Sequence, residues 1–136
     1  MSEENLKPRV LFFVEDEPEI VTLYTTAFEE SGFLVDSVSN GRDAIERLEY
    51  FVEEDVKRPN VMILDILLPD ASGMDILSEV RRRPLFNNTP VIMFTNFSSD
   101  ELREQIRQIP NTEYVLKMEI TPDEFVAKVK RMVGIE

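Results

Sequence analysis

The sequence predicts an α/β fold in which helices cover both faces of a parallel sheet. Short apolar runs of strand length recur along the chain, and segments with the apolar spacing of helices separate them. The connections between these segments are short, so each strand returns parallel to its neighbours through a right-handed helical crossover. We expect five such units in a single domain, with a core over residues 9–133 and a polar leader over residues 1–8.

The composition is that of one globular domain. Of the 136 residues, 43% are hydrophobic and 31% are charged, which suffices for a core without disulfides. The formal net charge of −12 argues against nucleic acid and anionic membranes as partners. No cysteine or histidine occurs, which excludes thiolate sites, imidazole metal sites and histidine-dependent triads. We expect a cytoplasmic protein that neither binds nucleic acid nor inserts into a membrane, and in which any metal is held by oxygen.

The first strand is predicted from a continuous apolar run over residues 9–14 (RVLFFV). The carboxylates of Glu15 and Asp16 follow directly, at the carboxyl end of that strand. Pro18 fits the first turn of a helix whose apolar residues share one face, and Gly32 predicts the end of that helix.

The second and third strands are predicted over residues 33–38 (FLVDSV) and 61–64 (VMIL). Ser39, Asn40 and Gly41 have turn chemistry that can also cap the helix between them, whose apolar spacing continues to about Asp55. The third strand reads as a central one, buried on both faces, and it delivers Asp65 to its carboxyl end, where open α/β sheets bind their ligands. On these residues alone, Asp65 could equally be a loop residue that caps the next turn.

The third helix is short and ends in a basic triplet over residues 81–83, which complements the negative end of the helix dipole. Residues 90–94 (PVIMF) predict the fourth strand, and Thr95 follows it. Ser98 and Glu101 can form a capping box for a fourth helix. That helix has few apolar anchors, so we expect it to be the least firmly packed.

The fifth strand is predicted over residues 114–116 (YVL) and ends at Lys117. Thr121 and Glu124 can form a second capping box, which opens the last helix. Five strand and helix pairs predict a flavodoxin-like (βα)5 fold, a three-layer sandwich around a parallel sheet of order 2-1-3-4-5.

This strand order brings charged residues from several strands to one rim. Glu15, Asp16 and Asp65 should converge, because the first and third strands are neighbours. Thr95 and Lys117 should close the rim from the fourth and fifth strands. Each of these residues has an ordinary explanation when it is taken singly, and the prediction rests on their joint occurrence at one edge.

Three carboxylates in one cleft need a cation or a raised pKa. Two of them about 5 Å apart repel by about 3 kcal/mol at an effective dielectric of 20. Mg²⁺ is the simplest cation, and the backbone carbonyl of Leu67 could complete the ligands that Glu15, Asp16 and Asp65 provide. Asp65 then becomes a candidate nucleophile toward phosphorus, with the Lys117 ammonium and a strand-end hydroxyl on the phosphoryl oxygens.

The pattern resembles the response-regulator receiver domains of two-component signalling. The likeness extends over about residues 9–133, and its motifs match in order and spacing. Glu15 and Asp16 resemble the acidic metal-binding pair, Asp65 the phosphoacceptor, Thr95 the switch hydroxyl, Tyr114 the switch aromatic residue and Lys117 the phosphate-binding lysine. The resemblance implies Mg²⁺-dependent phosphoryl transfer to Asp65 from a histidine kinase or phosphotransfer protein. Such a chain catalyses its own phosphorylation and slow dephosphorylation without being a conventional enzyme.

Phosphorylation should switch a surface that binds an unidentified downstream protein. We expect Thr95 to move toward the phosphoryl group and Tyr114 to turn inward, which repacks the fourth helix, fifth strand and last helix. The phosphorylated state should be long-lived. The positions best placed to orient a hydrolytic water carry Leu67 and Phe97, whose side chains neither donate nor accept hydrogen bonds.

Two residues depart from the receiver pattern. Met118 stands where proline usually follows the lysine, and Asn96 is larger than the small residue usual after the switch threonine. We expect a trans bond between Lys117 and Met118, since a cis bond before a residue other than proline costs about 3 kcal/mol. The departures motivate the alternative of a receiver-like binding module that switches without phosphate. We otherwise expect a stand-alone receiver without an output domain.

Two rivals from other classes fit the residues less well. An aspartyl-phosphate hydrolase of the haloacid dehalogenase type needs a second aspartate two residues after its nucleophile, where this chain has Leu67. A flavin carrier on the same fold needs a hydroxyl-rich phosphate loop after the first strand, where this chain has Glu15, Asp16 and Glu17. Those carboxylates would repel a phosphate that arrives without a metal.

Overall fold

A five-stranded parallel sheet forms the centre of the protein. The computed structural model describes residues 8–134, so residues 1–7 of the predicted leader lie outside the described residues. The strands are β1 (Arg9–Val14), β2 (Phe33–Val38), β3 (Val61–Leu64), β4 (Val91–Thr95) and β5 (Thr112–Leu116). Their order in the sheet is β2-β1-β3-β4-β5, and each neighbouring pair is parallel. The predicted strand order is confirmed.

Five helices cover the two faces of this sheet. They are α1 (Pro18–Glu30), α2 (Gly41–Glu53), α3 (Gly73–Arg82), α4 (Asp100–Arg107) and α5 (Pro122–Met132), with 3₁₀ turns at Pro84–Phe86 and Lys117–Glu119. Helices α1 and α5 bury their apolar residues against one face, and α2, α3 and α4 bury theirs against the other. The three-layer sandwich is therefore confirmed. Among residues 8–134, no helix is long and apolar enough to cross a membrane.

Successive side chains along each strand point to opposite faces of the sheet, so one strand contributes to both layers of the core. In β1, Leu11 and Phe13 face the α1 and α5 layer, while Phe12 and Val14 face the opposite layer. All four side chains are fully buried, and each large apolar side chain contributes about 1.5–3 kcal/mol by leaving water. A strand that is apolar on both faces must be internal, which is why β1 lies between two neighbours.

The helix caps predicted from the sequence are found in the structure, with one exception. Asn40 caps α2 by accepting a hydrogen bond from the Asp43 N–H at 2.8 Å, and Thr121 and Glu124 form the predicted capping box of α5. The predicted capping box between Ser98 and Glu101 is wrong, because Ser99 is the N-cap of α4. The chain turns helical one residue later than predicted since residues 96 and 97 are hydrogen-bonded to β5 and the turn that follows it.

Helix α4 is the least firmly packed helix of the described residues, as predicted. Its only fully buried side chain is that of Ile106, whereas each of the other four helices buries at least two side chains. The helix is also the shortest, with 8 residues. Little apolar burial therefore holds it against the sheet.

The basic triplet at the end of α3 is engaged within the fold. The Arg81 guanidinium donates to the carbonyls of Phe86 and Asn111 at 2.8 and 2.9 Å, and it ties the end of α3 to the loop before β5. Arg82 and Arg83 both contact the Glu79 carboxylate, at 2.6 and 3.0 Å. These contacts explain the triplet without nucleic acid.

The loop after β3 is held at several points. The Gly73 N–H donates to the Ile66 carbonyl at 2.7 Å, and a side chain at Gly73 would overlap the carbonyl of Asp65. The Asp70 carboxylate accepts hydrogen bonds from the N–H groups of Gly41 and Arg42 at 2.7 and 3.0 Å. These bonds lower the pKa of Asp70 and join the loop to the first turn of α2. The backbone around Asp65 is thus fixed by neighbours on both sides.

Candidate functional site

The polar edge of the sheet is built where β1 and β3 end. The Glu15 N–H donates to the Val38 carbonyl at 3.1 Å, and the Asp65 N–H donates to the Val14 carbonyl at 3.0 Å. Both backbones thus continue the sheet for one residue beyond their strands. Their side chains consequently start from fixed positions at the carboxyl edge, as the strand order predicts.

Lys117 is the centre of a buried ionic cluster at this edge. Its Nζ lies 2.6 Å from Oε1 of Glu15 and 2.9 Å from Oδ2 of Asp65. The residues are 8%, 0% and 4% exposed, respectively. Glu17 forms a longer contact of 3.4 Å from the solvent side. The predicted convergence of Glu15, Asp65 and Lys117 is found in the structure.

Glu17, and not the predicted Asp16, joins Glu15 and Asp65 in the metal-free cluster. Oxygen atoms of Glu15, Glu17 and Asp65 all lie within 4.8 Å of one another. Asp16 is exposed and does not belong to this cluster. Glu17 is held in the cluster by local contacts, since its N–H donates to Oε2 of Glu15 at 3.2 Å and its carboxylate lies 3.4 Å from Nζ of Lys117. The sequence placed three acidic residues after β1 but gave no signal that would select Glu17 over Asp16.

Charge is unbalanced within the cluster, since three carboxylates surround one ammonium group. Burial raises the pKa of Glu15 to about 7, and although the Lys117 hydrogen bond acts against this shift, the nearby Asp65 charge reinforces it. Burial would lower the pKa of Lys117, but the hydrogen bonds to Glu15 and Asp65 outweigh burial and raise it. Lys117 therefore stays charged, and Glu15 titrates near neutral pH.

Thr95 and Tyr114 lie along the β4 and β5 side of the edge. Thr95 is buried at the end of β4, where it pairs with Leu116 of β5, and its hydroxyl accepts a hydrogen bond from the Phe97 N–H at 3.1 Å. The Tyr114 hydroxyl donates to the Phe97 carbonyl. The Arg103 guanidinium lies 4.8 Å from the centre of the Tyr114 ring. The loop after Thr95 is thus bonded to β5 through an aromatic side chain that is only partly buried.

Leu67 and Phe97, two residues after Asp65 and Thr95 respectively, carry exposed apolar side chains. They are 59% and 42% exposed. The Leu67 N–H donates to Oδ1 of Asp65 at 3.2 Å, so the predicted carbonyl ligand belongs to a residue whose amide already contacts Asp65. Neither side chain can form a hydrogen bond, as the prediction for the lifetime of the phosphorylated state requires.

The two residues that depart from the receiver pattern are in direct contact. The Asn96 side-chain oxygen accepts a hydrogen bond from the Met118 N–H at 3.0 Å. No cis peptide bond occurs in the described part of the chain, which confirms the predicted trans bond between Lys117 and Met118.

Comparison with known proteins identifies the family. The model of the response regulator receiver domain matches residues 11–130, nearly the whole chain. The chain belongs to this family. Receivers are domains of two-component response regulators, and they bind Mg²⁺ in an acidic pocket.

Relatives with established names support this assignment. The phosphate regulon transcriptional regulatory protein PhoB of Rhizobium meliloti is 34% identical over 122 residues, which are 88% of this chain and 50% of PhoB. Protein Rrf1 of Nitratidesulfovibrio vulgaris is 27% identical over 127 residues, which are 93% of this chain and 84% of Rrf1. The receiver thus spans about half the length of PhoB.

Solved structures agree on the fold. The chemotaxis response regulator CheY4 of Vibrio cholerae superposes with a TM-score of 0.78 at 21% identity, over 93% of this chain and 99% of CheY4. At this identity the comparison concerns the fold alone.

The raised pKa of Glu15 predicts an unusual pH dependence of stability. Between pH 4.5 and about 7, the folded receiver keeps a proton on Glu15 that the unfolded chain has lost. The free energy of unfolding of the metal-free protein should therefore gain a contribution as pH falls through this window. Urea unfolding in the presence of a chelator, at several pH values from about 8 to about 5, measures it in wild type and in Glu15→Gln.

The difference between these two pH profiles isolates Glu15, since every other group titrates in both proteins. Relative to the variant, wild type should become more stable toward the acidic end of the window. Parallel profiles would show that the Glu15 pKa is not raised in solution.

Proposed function

We propose that this receiver accepts a phosphoryl group on Asp65 from the phosphohistidine of a histidine kinase or phosphotransfer protein. The observation that carries the proposal is the contact between Oδ2 of Asp65 and Nζ of Lys117, 2.9 Å apart at the carboxyl edge of the sheet. Burying a carboxylate and an ammonium group together costs desolvation free energy, which hydrated side chains at the edge of a sheet would avoid. Stability alone therefore gives little reason for this buried pair. Membership of the receiver family gives this arrangement its chemical meaning.

The transfer forms a bond between phosphorus and a carboxylate oxygen of Asp65 while the bond between phosphorus and the donor nitrogen breaks. The electron pair of the broken bond stays on the imidazole of the donor. Lys117 remains charged throughout, so its Nζ can follow the negative charge from the carboxylate to the phosphoryl oxygens. The Thr95 hydroxyl, at the end of the neighbouring strand, is the second donor to those oxygens.

The acidic residues of the site fit a bound Mg²⁺ ion. Three carboxylates, of Glu15, Glu17 and Asp65, share the single ammonium group of Lys117, so the cluster carries more negative than positive charge. Carboxylate and carbonyl oxygens are ligands that Mg²⁺ accepts together with water. We assign the site to Glu15, Asp65 and the Leu67 carbonyl, with Asp16 as a further ligand because it holds the second position of the receiver family's acidic pair. Asp16 lies outside the metal-free cluster, so its side chain would have to turn toward the ion on binding. When bound, the ion neutralises charge on the phosphoryl group as it is transferred.

The output of the proposed reaction is a change at the surface formed by α4, β5 and α5. Thr95 is tied to the Phe97 N–H, and Tyr114 to the Phe97 carbonyl, so a movement of Thr95 toward the phosphoryl group alters both contacts. Helix α4 is weakly packed next to them. A modest free energy from the phosphoryl contacts is then enough to shift this region, and a downstream protein can recognise the result.

A receiver-like module that switches without phosphate remains the alternative. Asn96 and Met118 motivated it, and their mutual hydrogen bond leaves Lys117 in contact with Asp65. This geometry favours the phosphoryl acceptor over the alternative.

Phosphorylation is tested directly by intact mass. Incubation with Mg²⁺ and a small acyl-phosphate donor should add the mass of one phosphoryl group to wild type and none to Asp65→Ala. Asp55→Ala, which removes an exposed carboxylate before β3 at the other end of that strand, should be modified like wild type. A wild-type mass that stays unchanged would reject phosphoryl transfer and leave the phosphate-independent module.

Calorimetry with Mg²⁺ tests the metal ligands. Asp16→Ala should weaken binding at least about tenfold, because loss of even a residue that only hydrogen-bonds to a metal ligand weakens metal affinity by about that much. Glu17→Ala should weaken binding less, since the assignment leaves Glu17 outside the ligands and its contact with Lys117 is long, at 3.4 Å. Unchanged affinity in Asp16→Ala would contradict the assignment, and a larger loss in Glu17→Ala would transfer the role to Glu17.

The lifetime of the phosphorylated state depends on water access, so we expect slow hydrolysis in wild type. The double variant Leu67→Asn with Phe97→Glu supplies groups that can orient a water molecule, and it should lose the phosphoryl group faster. Leu85→Asn is the control, because it exchanges an exposed leucine in the 3₁₀ turn before β4. Equal decay in wild type and the double variant would mean that these two side chains do not set the lifetime.

A further inference from the structure

The hydrogen bond between Asn96 and Met118 bridges two loops that carry functional residues. Asn96 directly follows Thr95, and Met118 directly follows Lys117. Thr95 and Leu116 form the last pair of the ladder between β4 and β5. The side-chain oxygen of Asn96, 3.0 Å from the Met118 nitrogen, therefore acts as a backbone-like acceptor just beyond the end of the ladder.

This bond gives the backbone of Lys117 a fixed point on each side. Leu116 is held by the ladder, and Met118 is held by Asn96. The Met118 side chain is 76% exposed, so packing of that side chain does little to hold the turn. A proline at this position would have no N–H to donate, whereas methionine supplies the donor that the Asn96 oxygen accepts.

We propose that Asn96 is a positioning residue that joins the turn bearing Lys117 to the loop bearing Thr95, so that both phosphoryl-binding groups are held as one unit. This inference rests on the proposed function of Asp65. Asn96 does not touch the reacting atoms in this role. Its effect is to reduce the ordering that the two loops must undergo when a phosphoryl group binds between them.

The proposal predicts a selective loss of phosphoryl binding. The Mg²⁺ ligands lie on the loops after β1 and β3, so their affinity for the ion should not depend on Asn96. Beryllium fluoride with Mg²⁺ serves as the phosphoryl mimic. Its affinity should fall about two- to tenfold in Asn96→Ala, the range expected for one ordinary hydrogen bond. A general loss of structure would instead weaken Mg²⁺ and the mimic together.

Variants that separate shape from hydrogen bonding sharpen the test. Asn96→Leu keeps the approximate shape of the side chain without an acceptor and should behave like Asn96→Ala, which guards against a folding defect in either protein. Asn96→Asp keeps an acceptor oxygen. Asn88→Ala is the matched control, because it removes an exposed asparagine from the loop before β4, at the opposite end of that strand.

Amide hydrogen exchange in the metal-free protein reports on the bond without any phosphoryl chemistry. The Met118 amide should be protected in wild type, Asn88→Ala and Asn96→Asp, and exposed in Asn96→Ala and Asn96→Leu. Equal protection of Met118 in Asn96→Ala and wild type would overturn the inference, as would unchanged affinity for the mimic or a parallel loss of Mg²⁺ affinity. If wild type is neither phosphorylated nor bound by the mimic, the proposed function fails, and Asn96 then has no phosphoryl-binding groups to position.

Discussion

The burial of one ammonium group among three carboxylates is the constraint on which the carboxyl edge of the sheet depends. Lys117 loses its hydration at this edge, and Glu15 and Asp65 replace water around Nζ at 2.6 and 2.9 Å. The exchange is incomplete, because the carboxylates outnumber the cation. Burial, reinforced by the Asp65 charge, leaves Glu15 with a raised pKa. Such an edge suits a divalent cation and a phosphoryl group bound together, since their opposite charges complete the balance.

The backbone on the β1 and β3 side is rigid for reasons that lie outside the ionic cluster. Both strands are internal and buried on both faces, and their last residues are still bonded to neighbouring strands. The loop after Asp65 is then fixed by the close approach of Gly73 and by the bonds from Asp70 to α2. Asp65 therefore occupies a position that the core determines, as a nucleophile requires if it is to meet phosphorus in line.

The fold and the convergence of Glu15, Asp65 and Lys117 could be predicted from the sequence, whereas contacts within the loops could not, and the division has a physical basis. Parallel strands share one carboxyl edge, so a carboxylate or ammonium group that directly follows a strand, such as Asp65 or Lys117, is placed by topology alone. Residues in the loops depend on local choices that topology does not determine. Glu17 joins the cluster through local contacts with Glu15 and Lys117, and Ser99 replaces Ser98 as a cap because the preceding residues are bonded elsewhere.

The contact between Asn96 and Met118 was beyond prediction for a related reason. Each residue departs singly from the receiver pattern, and a sequence read one position at a time offers no sign that two departures separated by more than 20 residues compensate each other. Only the register of β4 and β5, which pairs Thr95 with Leu116, places them within hydrogen-bond distance.

The two sides of the site differ in how strongly they are held, and this difference suits a switch. Asp65 belongs to the core side, whereas the loop after Thr95 is held at Phe97 by a contact of Tyr114 that lies near solvent. Exposed hydrogen bonds and a helix with one fully buried side chain open at low free energy. A phosphoryl group on Asp65 would be bound to the rigid side and would act on the weaker one. Its contacts would therefore move Thr95, α4 and Tyr114 in preference to the strands that hold the phosphorylated residue.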